Sequence, residues 1–129
     1  MSFFNSILKF FIGDKTKKDI KSILPVVEEV KSFESEISKL NNDELREQTQ
    51  NFKSEIELSI NEIKSKIKQL KEAVDKTNDF DEKEELYTQI DECEEESYRI
   101  NEDTLNKILP KAFAVVKETA KRFYNNKEI

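Results

Sequence analysis

Residues 105–124 read LNKILPKAFAVVKETAKRFY, and the fold turns on them. The chain is 39% charged, yet Ala112–Val116 carries neither a charge nor a strongly polar group. Ala112, Phe113, Val116, Ala120 and Phe123 recur at steps of one, three, four and three, which places them on one face of a helix. Ala114 and Val115 widen that face until the helix is apolar most of the way round. Such a helix is buried among several partners. With 36% hydrophobic residues in 129, the chain does not supply them all, so the pattern predicts a piece of something larger.

Outward from that helix the composition stays helical. One glycine and two prolines among abundant Glu, Lys, Leu and Ile predict long helices, few turns and an all-α fold. Ile56, Ile60, Ile63, Ile67, Leu70 and Val74 alternate steps of four and three, the seam of a coiled coil. Leu45 and Phe52 extend the stripe backwards. A turn over Asp75–Glu82, with Asp79 or Asp81 as the following cap, sends the chain back along Leu86, Ile90, Cys93, Ser97 and Ile100. The expected element is a long antiparallel hairpin over residues 55–103, widened by Tyr87 and Tyr98. Pro110 either ends or kinks the returning helix near Ile108–Leu109, or opens the helix that follows over residues 104–124.

Upstream, residues 14–54 form a helical segment in which Ile20, Ile23, Leu24, Val27, Val30, Ile37 and Leu40 keep the period. Pro25 predicts a kink or break near Ile23–Leu24. Asn41 followed by Glu44 is a capping box that starts the next helix. Residues 1–13 read as a short amphipathic helix from Ser2 to Ile12, with Gly13 as its left-handed stop. Its apolar face is Phe3, Phe4, Ile7, Leu8 and Phe11, with Lys9 opposite and Lys15, Lys17, Lys18 and Lys21 behind. That pattern suits a bilayer interface, and equally docking onto the rest of the protein or onto a symmetry mate.

Net charge is −6 but unevenly spread. Residues 1–21 hold five lysines and two aspartates, residues 72–102 hold thirteen acidic and three basic groups, and residues 103–129 hold six basic and three acidic. The middle therefore repels nucleic acid and anionic lipid, leaving the basic ends for any anionic partner, a ribosome included. Asp91, Glu92, Glu94, Glu95 and Glu96 lack the histidine of a di-iron site and the glycine of a calcium loop, so they read as a solvated face. Cys93 has no histidine to activate it and reads as a small buried hydrophobe. One cysteine excludes an internal disulfide and suggests a reducing compartment. No apolar run reaches the length of a membrane span, and the start does not read as a signal peptide. No G-x-x-x-x-G-K-[ST] occurs, so we expect no catalytic, metal or cofactor site in this chain.

Three stretches carry a family resemblance. ILPKAFAVVKETAKR (residues 108–122) is similar to ILPEAFAVVREAAKR of SecA, the bacterial preprotein translocase ATPase. LNNDELREQTQNFK (residues 40–53) resembles that family's LSDEELRAKTAEFK, and MSFFNSILKFFIGDK its short N-terminal helix and following glycine. The matches cover roughly residues 1–58 and 101–129, with a long charged insertion between them. The resemblance implies the N-terminal shoulder of the first nucleotide-binding domain of a cytoplasmic motor peripherally bound to the inner membrane. ATP and Mg would belong to the parent, because the adenine-reading glutamine and the phosphate loop would lie beyond Ile129. Implied partners are the rest of the SecA-like chain, preprotein, the SecY-type channel and acidic phospholipid. The resemblance places Phe3, Phe4, Ile7, Leu8, Lys9, Phe11, Lys15, Lys17 and Lys18 against membrane or channel. It places Ala112, Phe113, Val115, Val116, Ala120 and Phe123 against the absent ATPase domain. A stand-alone helical adaptor, a membrane tether and self-association are the competing readings.

Overall fold

The computed structural model describes the backbone of residues 2–126 and the side chains of residue 13 and residues 15–126. Three α-helices follow one another: α1 (Ser2–Ser38), α2 (Asn42–Lys76) and α3 (Phe80–Asn125). No strand occurs among the described residues, and the fold is all-α.

Both connections are three residues long, and local chemistry fixes each. Before α2, the Glu44 amide donates to Asn41 Oδ1 at 2.9 Å and the Asn41 amide donates to Glu44 Oε2 at 2.8 Å, the capping box expected from sequence. Before α3, the amides of Asp81 and Glu82 donate to Asp79 Oδ1 at 2.9 and 3.3 Å, which selects Asp79 over Asp81 as the cap. The turn is narrower than expected, because α2 continues through Lys76 and only Thr77–Asp79 are non-helical.

α3 returns along α2, with Lys71 Nζ 3.5 Å from a Glu94 carboxylate oxygen across the pair. Ile63, Val74, Ile90 and Cys93 are buried, and Ile56, Ile60, Ile67, Leu70, Leu86 and Ile100 are half-buried. Cys93 is a free thiol within this apolar layer. Thr104, a buried polar residue on α3, donates its hydroxyl to the Ile100 carbonyl at 2.8 Å. Tyr87 and Tyr98 do not widen the layer as expected, since both side chains point into solvent. Their azimuth explains this: at 100° per residue each lies well over 100° from Cys93 and Ile100 on the helix circumference.

A second core forms where α1 crosses the far end of α3. Ile37, Leu45, Ala114 and Val115 are buried together, with Val30, Phe33, Leu40 and Phe52 packed against them. Ala114 gives α1 and α3 a close approach, and Ile37 fills the space with no exposed surface.

Neither Gly13 nor either proline ends a helix. Gly13 does not stop a helix; α1 runs through it, and no glycine has positive φ. As an interior glycine it costs about 1 kcal/mol relative to alanine, too little to end a helix. Pro25 lies inside α1 without breaking it. It removes the hydrogen bond to the Lys21 carbonyl, but that section is exposed and water can satisfy the freed oxygen. Pro110 lies inside α3 in the same way. Packing on α2 before it and on α1 after it holds both halves of α3 in one helix, a tertiary override of local propensity.

Candidate interaction surface

Arg122 ties the three helices together. Its Nη2 donates to the Leu40 carbonyl at 2.6 Å, its Nη1 to Asn42 Oδ1 at 2.8 Å, and its Nε to a Glu118 oxygen at 2.8 Å. The first two acceptors lie in and just after the α1–α2 turn, so the guanidinium fork fixes that turn onto α3. Sequence reading placed Arg122 only inside a family motif. The missed signal was the lone arginine among the lysines of residues 105–124, a planar fork that must find several acceptors.

Lysines reinforce the same crossing. Lys111 Nζ lies 3.0 Å from Glu36 and 5.9 Å from the centre of the Phe33 ring, while Lys117 pairs with Glu34. Among the described residues no buried side-chain polar atom lacks a partner.

The expected apolar face of the last helix is present but divided. Ala114 and Val115 are buried in the chain's own core. Ala112 is half-buried, whereas Phe113, Val116, Ala120 and Phe123 face outward, with the three large side chains each more than half exposed. Beside Phe113, residues Ile23, Val26, Val27 and Val30 of α1 line a groove of about 370 Å³ with almost wholly apolar walls. Ile20, Ile23 and Leu24 on α1 are likewise exposed. In total, an apolar surface spans α1 and α3 with nothing of the described chain over it. Such patches mark interaction surfaces in soluble proteins.

Other candidates resolve plainly. Lys15, Lys17 and Lys18 are exposed on α1. The side chains of Phe3, Phe4, Ile7, Leu8, Lys9 and Phe11 lie outside those described, although their backbone is the first part of α1. Asp91, Glu92, Glu94, Glu95 and Glu96 are exposed on α3, and no group of three possible ligands converges among the described residues. The described helices include none long and apolar enough to cross a membrane. The Glu44 amide of α2 and the Asp81 and Glu82 amides of α3 are held by their caps, Asn41 and Asp79, and Gly13 lies mid-helix.

Comparison with known proteins shows the family of the chain. A family model described as the SecA DEAD-like domain matches residues 8–128. The chain belongs to that family. The protein translocase subunit SecA of Flavobacterium psychrophilum is 50% identical over 129 residues, covering 100% of this chain and 12% of the relative. The SecA of Christiangramia forsetii is 49% identical over the same coverage. That of Bacteroides fragilis is 38% identical over 126 residues, 98% of this chain and 11% of the relative. This SecA-family chain therefore spans about one eighth of the length of the curated relatives it matches. No solved structure matches it. The family model's span and the coverage by the Flavobacterium psychrophilum relative both include residues 55–103, the acidic α2–α3 arm.

Proposed function

We propose that this chain is the N-terminal part of a SecA-type motor, which uses ATP to move preproteins through a bacterial SecY-type channel. The observation that carries this reading is the alignment of all 129 residues with SecA at 50% identity. Within the motor the chain is a structural and attaching element. The outer face of α3 at Phe113, Val116, Ala120 and Phe123, with the apolar groove beside it, packs against the ATPase domain. The lysine-bearing start of α1 attaches the motor to the channel and to acidic phospholipid at the inner face of the membrane. ATP and Mg bind elsewhere in the parent, because this chain offers one glycine and no phosphate loop.

The test uses an intact protein of this family in ATP-dependent import of a preprotein into inverted membrane vesicles. Removing residues 2–12 should lower vesicle binding and import while leaving solution ATPase in place. Phe113→Asp with Val116→Asp should impair the ATPase itself by disturbing the domain beneath. Unchanged import in both variants would overturn the assignment. Isothermal titration of the isolated chain with Mg-ATP should give no heat of binding at micromolar ligand; a micromolar site would contradict its purely structural role.

A further inference from the structure

α3 carries a second apolar line besides the one that faces α1 and α2. Phe80, Tyr98 and Val116 are spaced eighteen residues apart, and so are Tyr87, Leu105 and Phe123. Eighteen residues are five turns at 3.6 per turn, so members of each trio share one azimuth, and the two trios lie about 20° apart. All six side chains are between 41% and 78% exposed. They form one outward ridge about 65 Å long. Ile90, Cys93 and Ile108, by contrast, are buried.

The two halves of the ridge differ in charge. Beyond Leu105 the neighbours are Ala112, Phe113 and Ala120, the face given above to the motor's own ATPase domain. Before Leu105 the exposed carboxylates within about 80° of the ridge line are Glu84, Asp91, Glu94, Glu95 and Glu102, and the half-buried Lys83 lies about 40° from it. Glu94 reaches Lys71 on α2; residues 72–102 as a whole hold thirteen acidic groups against three basic ones.

We propose that the Phe80–Leu105 half of this ridge, with Tyr87 and Tyr98 as anchors, is a docking surface for a basic amphipathic helix of another polypeptide. Tyrosine offers a large, rigid, amphipathic contact that loses little side-chain entropy on binding. The flanking carboxylates select lysine and arginine at the rim, and a helix lying along the ridge matches its apolar line with its own. Anionic lipid and nucleic acid meet repulsion on this arm. The proposal does not depend on the motor's activity.

The probe is a synthetic helix of about 18 residues with leucine along one stripe and lysine elsewhere, followed by fluorescence anisotropy on the full chain near physiological salt. Tyr87→Ser with Tyr98→Ser, both exposed and folding checked by circular dichroism, should weaken binding at least about tenfold. Val116→Ser with Phe123→Ser should change it less than about threefold, and lysine homopolymer of equal charge should bind at least about tenfold more weakly than the probe. Equal affinity for the tyrosine variant, a loss centred on Val116 and Phe123, or equal binding of the homopolymer would each overturn the proposal.

Discussion

Replacing Arg122 by alanine isolates how the three helices are locked. The guanidinium makes three charge-assisted hydrogen bonds of 2.6 to 2.8 Å, to the α1–α2 turn, the start of α2 and the preceding turn of α3. Its side chain is 27% exposed and that of Glu118 only 15%. Hydrogen bonds to charged groups contribute about 1.5–3 kcal/mol each when buried. Partial exposure and the sharing of one side chain lower the total to about 3 kcal/mol, part of it from leaving Glu118 unpaired. Arg46 is the control. It pairs with Asp43 at 3.2 Å, but the two side chains are 80% and 91% exposed, so Arg46→Ala should cost under about 1 kcal/mol. Urea unfolding followed at 222 nm should show the Arg122→Ala midpoint lowered by about 1–2 M. Arg122→Lys should recover less than half of the loss, because an ammonium cannot reach three separate acceptors as a planar fork does. Amide exchange should rise around Lys39–Leu45 before it rises around Ile63–Val74. If Arg122→Ala unfolds within about 0.5 kcal/mol of the parent, or no differently from Arg46→Ala, the latch is not what holds the crossing.

Four further outcomes follow from the packing. Ile37→Ala, at the fully buried centre of the α1–α3 contact, should cost about 2–5 kcal/mol in the same unfolding assay. Ile63→Asp should be severely destabilising, by about 3 kcal/mol or more, while Leu58→Asp on the exposed side of α2 should stay within about 0.5 kcal/mol. Pro25→Ala restores an amide donor inside α1 and should slow exchange around Ile23–Val27, corresponding to about 3 kcal/mol; unchanged exchange would mean that α1 is already broken there. Flotation with anionic vesicles should fall when residues 2–12 are deleted, and equal flotation of both forms would dismiss the segment as an attachment.

Much of this was legible in the residues because period and caps are local signals. The steps of four and three from Ile56 to Val74 marked a layer whose members are all buried or half-buried. Asn41 and Glu44 announced a helix start that the backbone realises in both directions. Neither proline ends its helix, because tertiary contacts hold α3 together across Pro110 and solvent lies beside Pro25. Tyr87 and Tyr98 were assigned by proximity to the layer when their azimuth puts them outside it. On the apolar helix, sequence identified an excess of hydrophobic surface. Only the crossing with α1 showed how it is shared: Ala114 and Val115 inward, Phe113, Val116 and Phe123 outward. Long-range partners such as Arg122 with Leu40 and Asn42 are invisible to periodicity, since some eighty residues separate them.

The central claim is that this outward face is covered in the intact motor. Single cysteines at Phe113, Val116 and Phe123, introduced one at a time with the native Cys93 buried, make it measurable by maleimide labelling. In the isolated chain all three should label quickly, as should a cysteine at Leu58. In the intact SecA-type protein the first three should slow at least about tenfold while Leu58 keeps its rate, the signature of burial of a specific apolar surface. Undiminished labelling at Phe113, Val116 and Phe123 in the intact protein would contradict the account.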